Sequence, residues 1–337
     1  MNSKRAALAL SLLCGFSLFV GCGAGAAAPA APAAAASGKT APTASAASPE
    51  AAADADGGQQ IDFTDALGRA LSIPPSQRAA ALIGSFADIW LLAGGTVCAA
   101  PQDAWDTLAL PLAADTVSLG SLLAPGTEAL IASRPDLVLA SANLDADLAL
   151  KDTLAQAGIP VAYFDVSDFS AYLAMLSVCT RLTGHPERYA VYGAAVQQQV
   201  DAAVARADES HPKVLFLRSA SGRAEAKGSR GNVGTEMLKD LGCINLADSD
   251  TGLLENLSME AILMADPDFI FLTPLGGDGD STLQALTADP AWQSLRAVRQ
   301  GRVYTLDKRL YNAKPNARWG EAYAHLADIL YGGSGAS

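Results

Sequence analysis

The sequence predicts two Rossmann-like α/β lobes joined by a long rigid helix, with a ligand cleft between the lobes. Three observations carry that expectation. Strand-like and helix-like runs alternate along most of the chain, which builds mostly parallel sheets with helices on both faces. A long helical run interrupts the alternation once, near the middle. A fourteen-residue phrase also occurs in each half: EALIASRPDLVLAS from Glu128 to Ser141, and EAILMADPDFIFLT from Glu260 to Thr273. Each copy opens Glu-Ala, carries Pro-Asp at the same offset and closes on a small hydroxyl residue. An interval this long marks a domain duplication, since solenoid repeats are shorter. Ligands of open α/β sheets sit beyond the carboxyl ends of strands, so facing lobes would aim Ser141 and Thr273 at one cleft.

The elements follow in order. Residues 1–21 read as a signal peptide: Lys4 and Arg5 precede an apolar run too short to span a bilayer. The run ends SLFVGC, which resembles a lipoprotein signal with Cys22 as the lipidated new N-terminus, although Phe19 stands where that pattern has Leu. The alternative is an ordinary secretory signal. Residues 22–59 are Ala, Pro, Ser and Gly with little to bury, a disordered tether. An N-terminal α/β lobe is expected over 60–185. It opens with a hairpin around DALGR and the strand RAAALIG. A helix N-capped by Ser85 and stopped at Gly94-Gly95 follows, then the strand TVCAA. Next come the first fourteen-residue unit, an amphipathic helix DADLALKDTLAQAG, the strand IPVAYFDV and the helix DFSAYLAMLSVCTRLTG. The inter-lobe helix is expected over 186–210, with Pro186 in its first turn and a polar circumference suited to bridging domains. The C-terminal lobe, 211–332, restarts the pattern with strand KVLFLR and ends on the helix PNARWGEAYAHLADILYG.

Composition removes several function classes. The chain has 337 residues, is 50% hydrophobic and carries a formal net charge of −12. Nucleic acid and anionic lipid would each require a basic face. Cys98, Cys179 and Cys243 sit in apolar surroundings and read as buried thiols. His185, His211 and His325 have no ligand spacing, so no directly bound metal is expected.

At this point DALGR, GSFADIWLLAGG, GTEALIASRPDLVLAS, the inter-lobe helix, LGCINLAD, LSMEAILMADPDFIFLT and AWQSLRAVRQGRVYTLD resemble, in order, a known family. These are the substrate-binding proteins of ABC importers for ferric siderophores, haem and cobalamin. The resemblance covers about Gln60 to Tyr331. It implies a class III periplasmic-binding-protein-like fold, a monomer outside the cytoplasm, and no intrinsic cofactor. It implies a metal chelate as ligand, and a permease dimer with its ATPase subunits as partner. It also implies that Glu128 and Glu260 dock to arginines of the permease. Their alternative role is that of first-turn glutamates favoured by the helix dipole.

For the ligand, Arg218, Lys227, Lys308 and Arg309 form a basic set on the C-terminal lobe, suited to an anionic iron chelate or to haem propionates. Matching YNAKP to the family's last loop implies for Lys308 a position that touches ligand in the cobalamin-binding members. Phe86, Asp88, Asp103, Trp105 and Asn143 are offered by the N-terminal lobe, with Trp105 in a polar loop where it could cover a flat ligand. Trp90, Trp292 and Trp319 read as core, and Tyr311 as a packing residue. A cobalamin- or corrinoid-binding member is the nearer alternative. A surface enzyme such as a chelatase is the more distant one, without a nucleophile elbow, phosphate loop or HExxH motif to support it.

Overall fold

The computed structural model describes residues 60–220, 223–249, 253, 257–275 and 279–332. The signal, Cys22 and the tether lie outside these residues, as do the glycines and aspartate of 276–278. Among the described residues no helix is long and apolar enough to cross a membrane.

A hairpin opens the described chain, β1 (Ile61–Thr64) against β2 (Ala70–Ile73). Asp65 locks its turn by accepting from the Leu67 and Arg69 N–H groups and from the Arg69 guanidinium. The first sheet is wholly parallel. Its order is β5 (Val117–Ser118), β4 (Thr96–Ala100), β3 (Arg78–Ala81), β6 (Leu137–Ser141) and β7 (Val161–Phe164). The second is β10 (Ile244–Asn245), β8 (Lys213–Ala220), β11 (Phe269–Pro274) and β12 (Val303–Thr305), all parallel, with β9 (Arg223–Ala226) antiparallel on β8.

Side-chain alternation explains how these sheets stack. In the first sheet Ala79, Ala81, Leu137 and Leu139 face one buried cluster, while Ala80, Leu82, Val138 and Ala140 face another. In the second, Val214, Phe216, Phe269 and Phe271 face the same first cluster, while Leu215, Leu217, Ile270 and Leu272 face a third. Each lobe thus owns an outer core, and the two share an inner one. The strands read as continuous apolar runs because both faces are covered.

Helices pack on both the shared and the outer cores. They are α1 (Gly84–Leu92), α6 (Phe169–Leu182), α7 (Ala195–Val204), α8 (Val233–Asp240) and α14 (Trp319–Tyr331), with short α2 (Asp103–Asp106), α3 (Thr127–Ala132), α4 (Asp145–Ala149) and α5 (Lys151–Gln156) in the first lobe. The second lobe adds α9 (Met259–Ala265), α10 (Gly279–Ala288), α11 (Pro290–Gln293), α12 (Arg296–Arg299) and α13 (Lys308–Tyr311). The amphipathic run after Asn143 is thus two helices divided at Leu150.

Ser85 is not the N-cap of α1. Ile83 holds that position, and the carboxylate of Asp103 accepts the Gly84 N–H from outside the helix. Gly94, at φ 94°, provides the left-handed stop after that helix. The connecting segment opens as a π-helical turn, Ala190–Ala194, before α7 takes over, so regular helix covers less than 186–210. Phe169 and Tyr172 of α6 meet Trp319 of α14 at ring distances of 5.6 and 6.3 Å, and these rings join the lobes through the shared core.

The two fourteen-residue units fold alike. Glu128 and Glu260 lie exposed in the first turns of α3 and α9. Both helices stop through a left-handed residue, Arg134 at φ 50° and Asp266 at φ 46°. Asp136 then donates its N–H to the Arg78 carbonyl, and its carboxylate accepts the Arg78 N–H at 3.3 Å. Asp268 makes the same pair of bonds with Lys213, the carboxylate at 2.9 Å. Pro-Asp therefore fixes where each unit's strand meets the first strand of its own parallel sheet.

Candidate functional site

A cavity of about 580 Å³ opens between the carboxyl ends of the two sheets. Its first wall comes from Phe86 on α1, Asp103 on α2, Ser141 at the end of β6 and Asn143 after it; the facing wall comes from Arg218 on β8, Lys308 on α13 and Lys314 beyond it. These groups gather at strand ends because each strand must leave its sheet there, freeing backbone and side chain for a ligand.

Three cations converge on the cleft, each held differently. Arg218 is braced by Glu225 on β9, at 2.6 Å. The Lys308 ammonium reaches the Leu275 carbonyl at 3.5 Å. Lys314 makes no hydrogen bond or ion pair among the described residues; burial pushes its pKa down, against the pull of the Asp165 and Asp103 carboxylates. Burial raises the pKa of Asp103, opposed by the Gly84 N–H it accepts. Asn143 donates to Asp165 at 2.6 Å, and the Asn143 N–H is accepted by the Ser141 hydroxyl.

Of the residues singled out by sequence, Phe86, Asp103, Ser141, Asn143, Arg218 and Lys308 line this cavity. The others stand elsewhere, for physical reasons. Asp88 is occupied by Asn316, whose side-chain amide donates to it at 2.8 Å and to the Ser85 carbonyl at 2.9 Å. That bond crosses between lobes, and burial raises the Asp88 pKa despite it. Trp105 belongs to α2, not to a polar loop, and packs on the shared core. Lys227 is paired with Glu225 at 2.7 Å and borders a separate surface hollow. Arg309 folds back onto Asp307 at 2.6 Å.

Thr273 does not point into the cleft. It is wholly buried, and Leu275 beyond β11 lines the cavity in its place. Tyr311 is buried too, with its hydroxyl given to the Ala322 carbonyl and bonded to His325. Lys314 and Asn312 were missed although they stand in the quoted YNAKP: only the turn after α13 brings them back over the cleft. Among the described residues Cys98, Cys179 and Cys243 are free; burial pushes Cys243 up to about 12 and raises Cys98 and Cys179, leaving all three as inert thiols.

A family model described as periplasmic binding protein matches residues 80–310. Among curated relatives, the Fe(3+)-citrate-binding protein YfmC of Bacillus subtilis (strain 168) is 32% identical over 73 residues, 22% of each chain. The iron-uptake system-binding protein of the same organism is 23% identical over 213 residues, 61% of this chain and 64% of that one. The chain therefore matches less than two thirds of the length of these relatives. Among solved structures, the apo periplasmic heme-binding protein RhuT from Roseiflexus sp. RS-1 shares the fold, with a TM-score of 0.63 at 23% identity over 76% of this chain and 98% of that one.

Proposed function

The chain belongs to the periplasmic binding protein family, and from that premise we propose that it is the extracytoplasmic binding component of an ABC importer for an anionic iron chelate. The observation that carries the reading is the convergence of Arg218, Lys308 and Lys314 on one inter-lobe cavity. Guanidinium and ammonium groups suit the carboxylate or catecholate oxygens of a ferric siderophore.

Haem is the competing cargo, suggested by the name of the solved RhuT structure. A haem iron would seek an axial side chain. Among the described residues the cavity wall offers no His, Tyr, Cys or Met for it. A siderophore already fills its iron's coordination and needs no protein ligand. The names of the two Bacillus relatives, ferric citrate and iron uptake, favour the same reading. Cobalamin lacks comparable support.

In this account Glu128 and Glu260 meet the permease, and Cys22 with the 22–59 tether holds the protein at the membrane. Replacing Cys22 by Ser would then release the protein from the membrane fraction. The cargo is tested by titrating the protein with ferric citrate, a ferric catecholate, haem and cobalamin. Lys314→Met and Lys308→Met should each weaken binding of the anionic ferric chelates about tenfold, one lost charge-assisted contact being worth roughly 1.5 kcal/mol. Tight binding of haem or cobalamin alone would reject the reading.

A further inference from the structure

Directly beneath the first wall of the cleft lies a carboxylate that ligand contact does not use. Asp147 on α4 has no exposed surface. One oxygen accepts the Ser141 N–H at 2.7 Å, and the other is buried without a partner among the described residues. The residue it holds is the last of β6, and the segment that follows carries Asn143 and Leu144 into the cleft. Asp147 is thus joined to the ligand wall by one hydrogen bond.

The titratable groups on the elements around it do not neutralise it. Tyr163 on β7 gives its hydroxyl to the Asp147 main-chain carbonyl. Arg69 lies over the Tyr163 ring and is paired with Asp65. Asp145 shares α4, and Lys151 and Asp152 stand on α5. None of these forms an ion pair with Asp147 among the described residues. Burial, opposed by the Ser141 bond, pushes its pKa up to about 7.

We propose that Asp147 is a positioning residue of the binding site whose ionisation is coupled to the charge of the cargo, so that the cleft holds an anionic chelate more tightly as the medium acidifies. The inference rests on the anionic cargo proposed above. Two effects compete when Asp147 takes up a proton. The Ser141 N–H loses a charged acceptor but keeps the neutral carboxyl oxygen. The anionic cargo loses a buried negative charge that no neighbouring cation screens. The first effect alters one bond behind the wall, whereas the second acts on the whole ligand across a poorly solvated interior. The second therefore sets the sign. By linkage, bound anionic chelate in turn favours protonated Asp147.

The test compares wild type with Asp147→Asn, which keeps an oxygen for the Ser141 N–H but cannot titrate. Affinities for ferric citrate and for a neutral ferric trihydroxamate are measured from pH 5.5 to 8.5. The ratio of wild-type to variant affinity cancels the chelate's own titration. For ferric citrate the ratio should be near one at pH 5.5 and fall three- to tenfold by pH 8.5, with its midpoint near neutrality. For any binding of the neutral chelate the ratio should stay flat. A flat ratio for ferric citrate, or an equal step with the neutral chelate, overturns the inference and leaves the cargo reading standing. Failure of wild type to bind ferric citrate or a ferric catecholate at any pH rejects the cargo reading and this inference with it. If the variant does not fold, the infrared carboxylic band of wild type gives the same decision: adding ferric citrate at pH 7.5 must strengthen it, and an unchanged band overturns the coupling.

Discussion

The unit from Glu128 to Ser141 and the unit from Glu260 to Thr273 agree at their outer ends and part at the cleft. Both stand 132 positions apart throughout, and both present an exposed glutamate, a left-handed helix stop and an aspartate clasping the neighbouring strand. At the inner end Ser141 lines the cavity with its N–H held by Asp147, whereas Thr273 is sealed below Leu275, its hydroxyl without a partner among the described residues. A shared frame is preserved where strand register demands it. The walls the inner ends join differ in the same way: the second lobe brings Arg218, Lys308 and Lys314 to the cavity, the first Phe86, Asp103, Ser141 and Asn143.

The sharpest way to break the comparison acts on the outer ends. If both glutamates dock, Glu128→Lys combined with Glu260→Lys should abolish uptake, because like charge would face the permease arginines. Ligand affinity should stay within about twofold, since neither carboxylate has a partner among the described residues and neither lines the cavity. Transport and affinity measured side by side decide it; surviving uptake would reduce the repeated glutamates to helix-dipole residues.

The next effect falls on Asp147 itself. Its folded pKa, about 7 against an ordinary 3.8, favours the protonated form in the native state. The stability this gives is complete below about pH 4, declines as pH rises through 7 and is lost above it, up to roughly 4 kcal/mol. Asp147→Asn does not titrate, so its melting temperature relative to wild type should climb between pH 4 and 7.5 and then level off. A constant difference across that range would contradict the buried-charge account.

Smaller effects separate the two clasps. Asp268→Ala should cost more than Asp136→Ala, because Asp268 also pairs with Arg296 at 2.9 Å. About 1–2 kcal/mol against about 0.5–1 is expected in denaturant unfolding. Smallest is Thr273→Val, which removes an unpartnered buried hydroxyl and should change stability by less than about 1 kcal/mol while leaving affinity alone. Ser141→Ala should weaken ligand binding. Equal behaviour of the two hydroxyl variants would erase the asymmetry between the lobes.

Much of this frame was legible in the sequence, because strand runs, Pro-Asp breaks and the echo are local signals. Of the site, Phe86, Asp103, Ser141, Asn143, Arg218 and Lys308 were legible, because each stands within a few residues of a strand's carboxyl end. Asp88 and Trp105 misled because a helix rotates successive side chains, and only packing decides which reach a cleft. Asn316 takes up Asp88, and the shared core takes Trp105. Lys227 and Arg309 misled because local carboxylates, Glu225 and Asp307, hold them back. Lys314 and Asp147 could not be found by pattern: one reaches the site through the turn after α13, and the other acts from behind the wall.

The most direct test of the central claim is calorimetric titration of the full chain and its Lys314→Met variant with ferric citrate, a ferric catecholate and haem. The account predicts that wild type binds an anionic ferric chelate, that the variant binds it about tenfold more weakly, and that haem competes poorly. Tight haem binding with no response to the anionic ferric chelates, or affinity indifferent to the loss of Lys314, would contradict it.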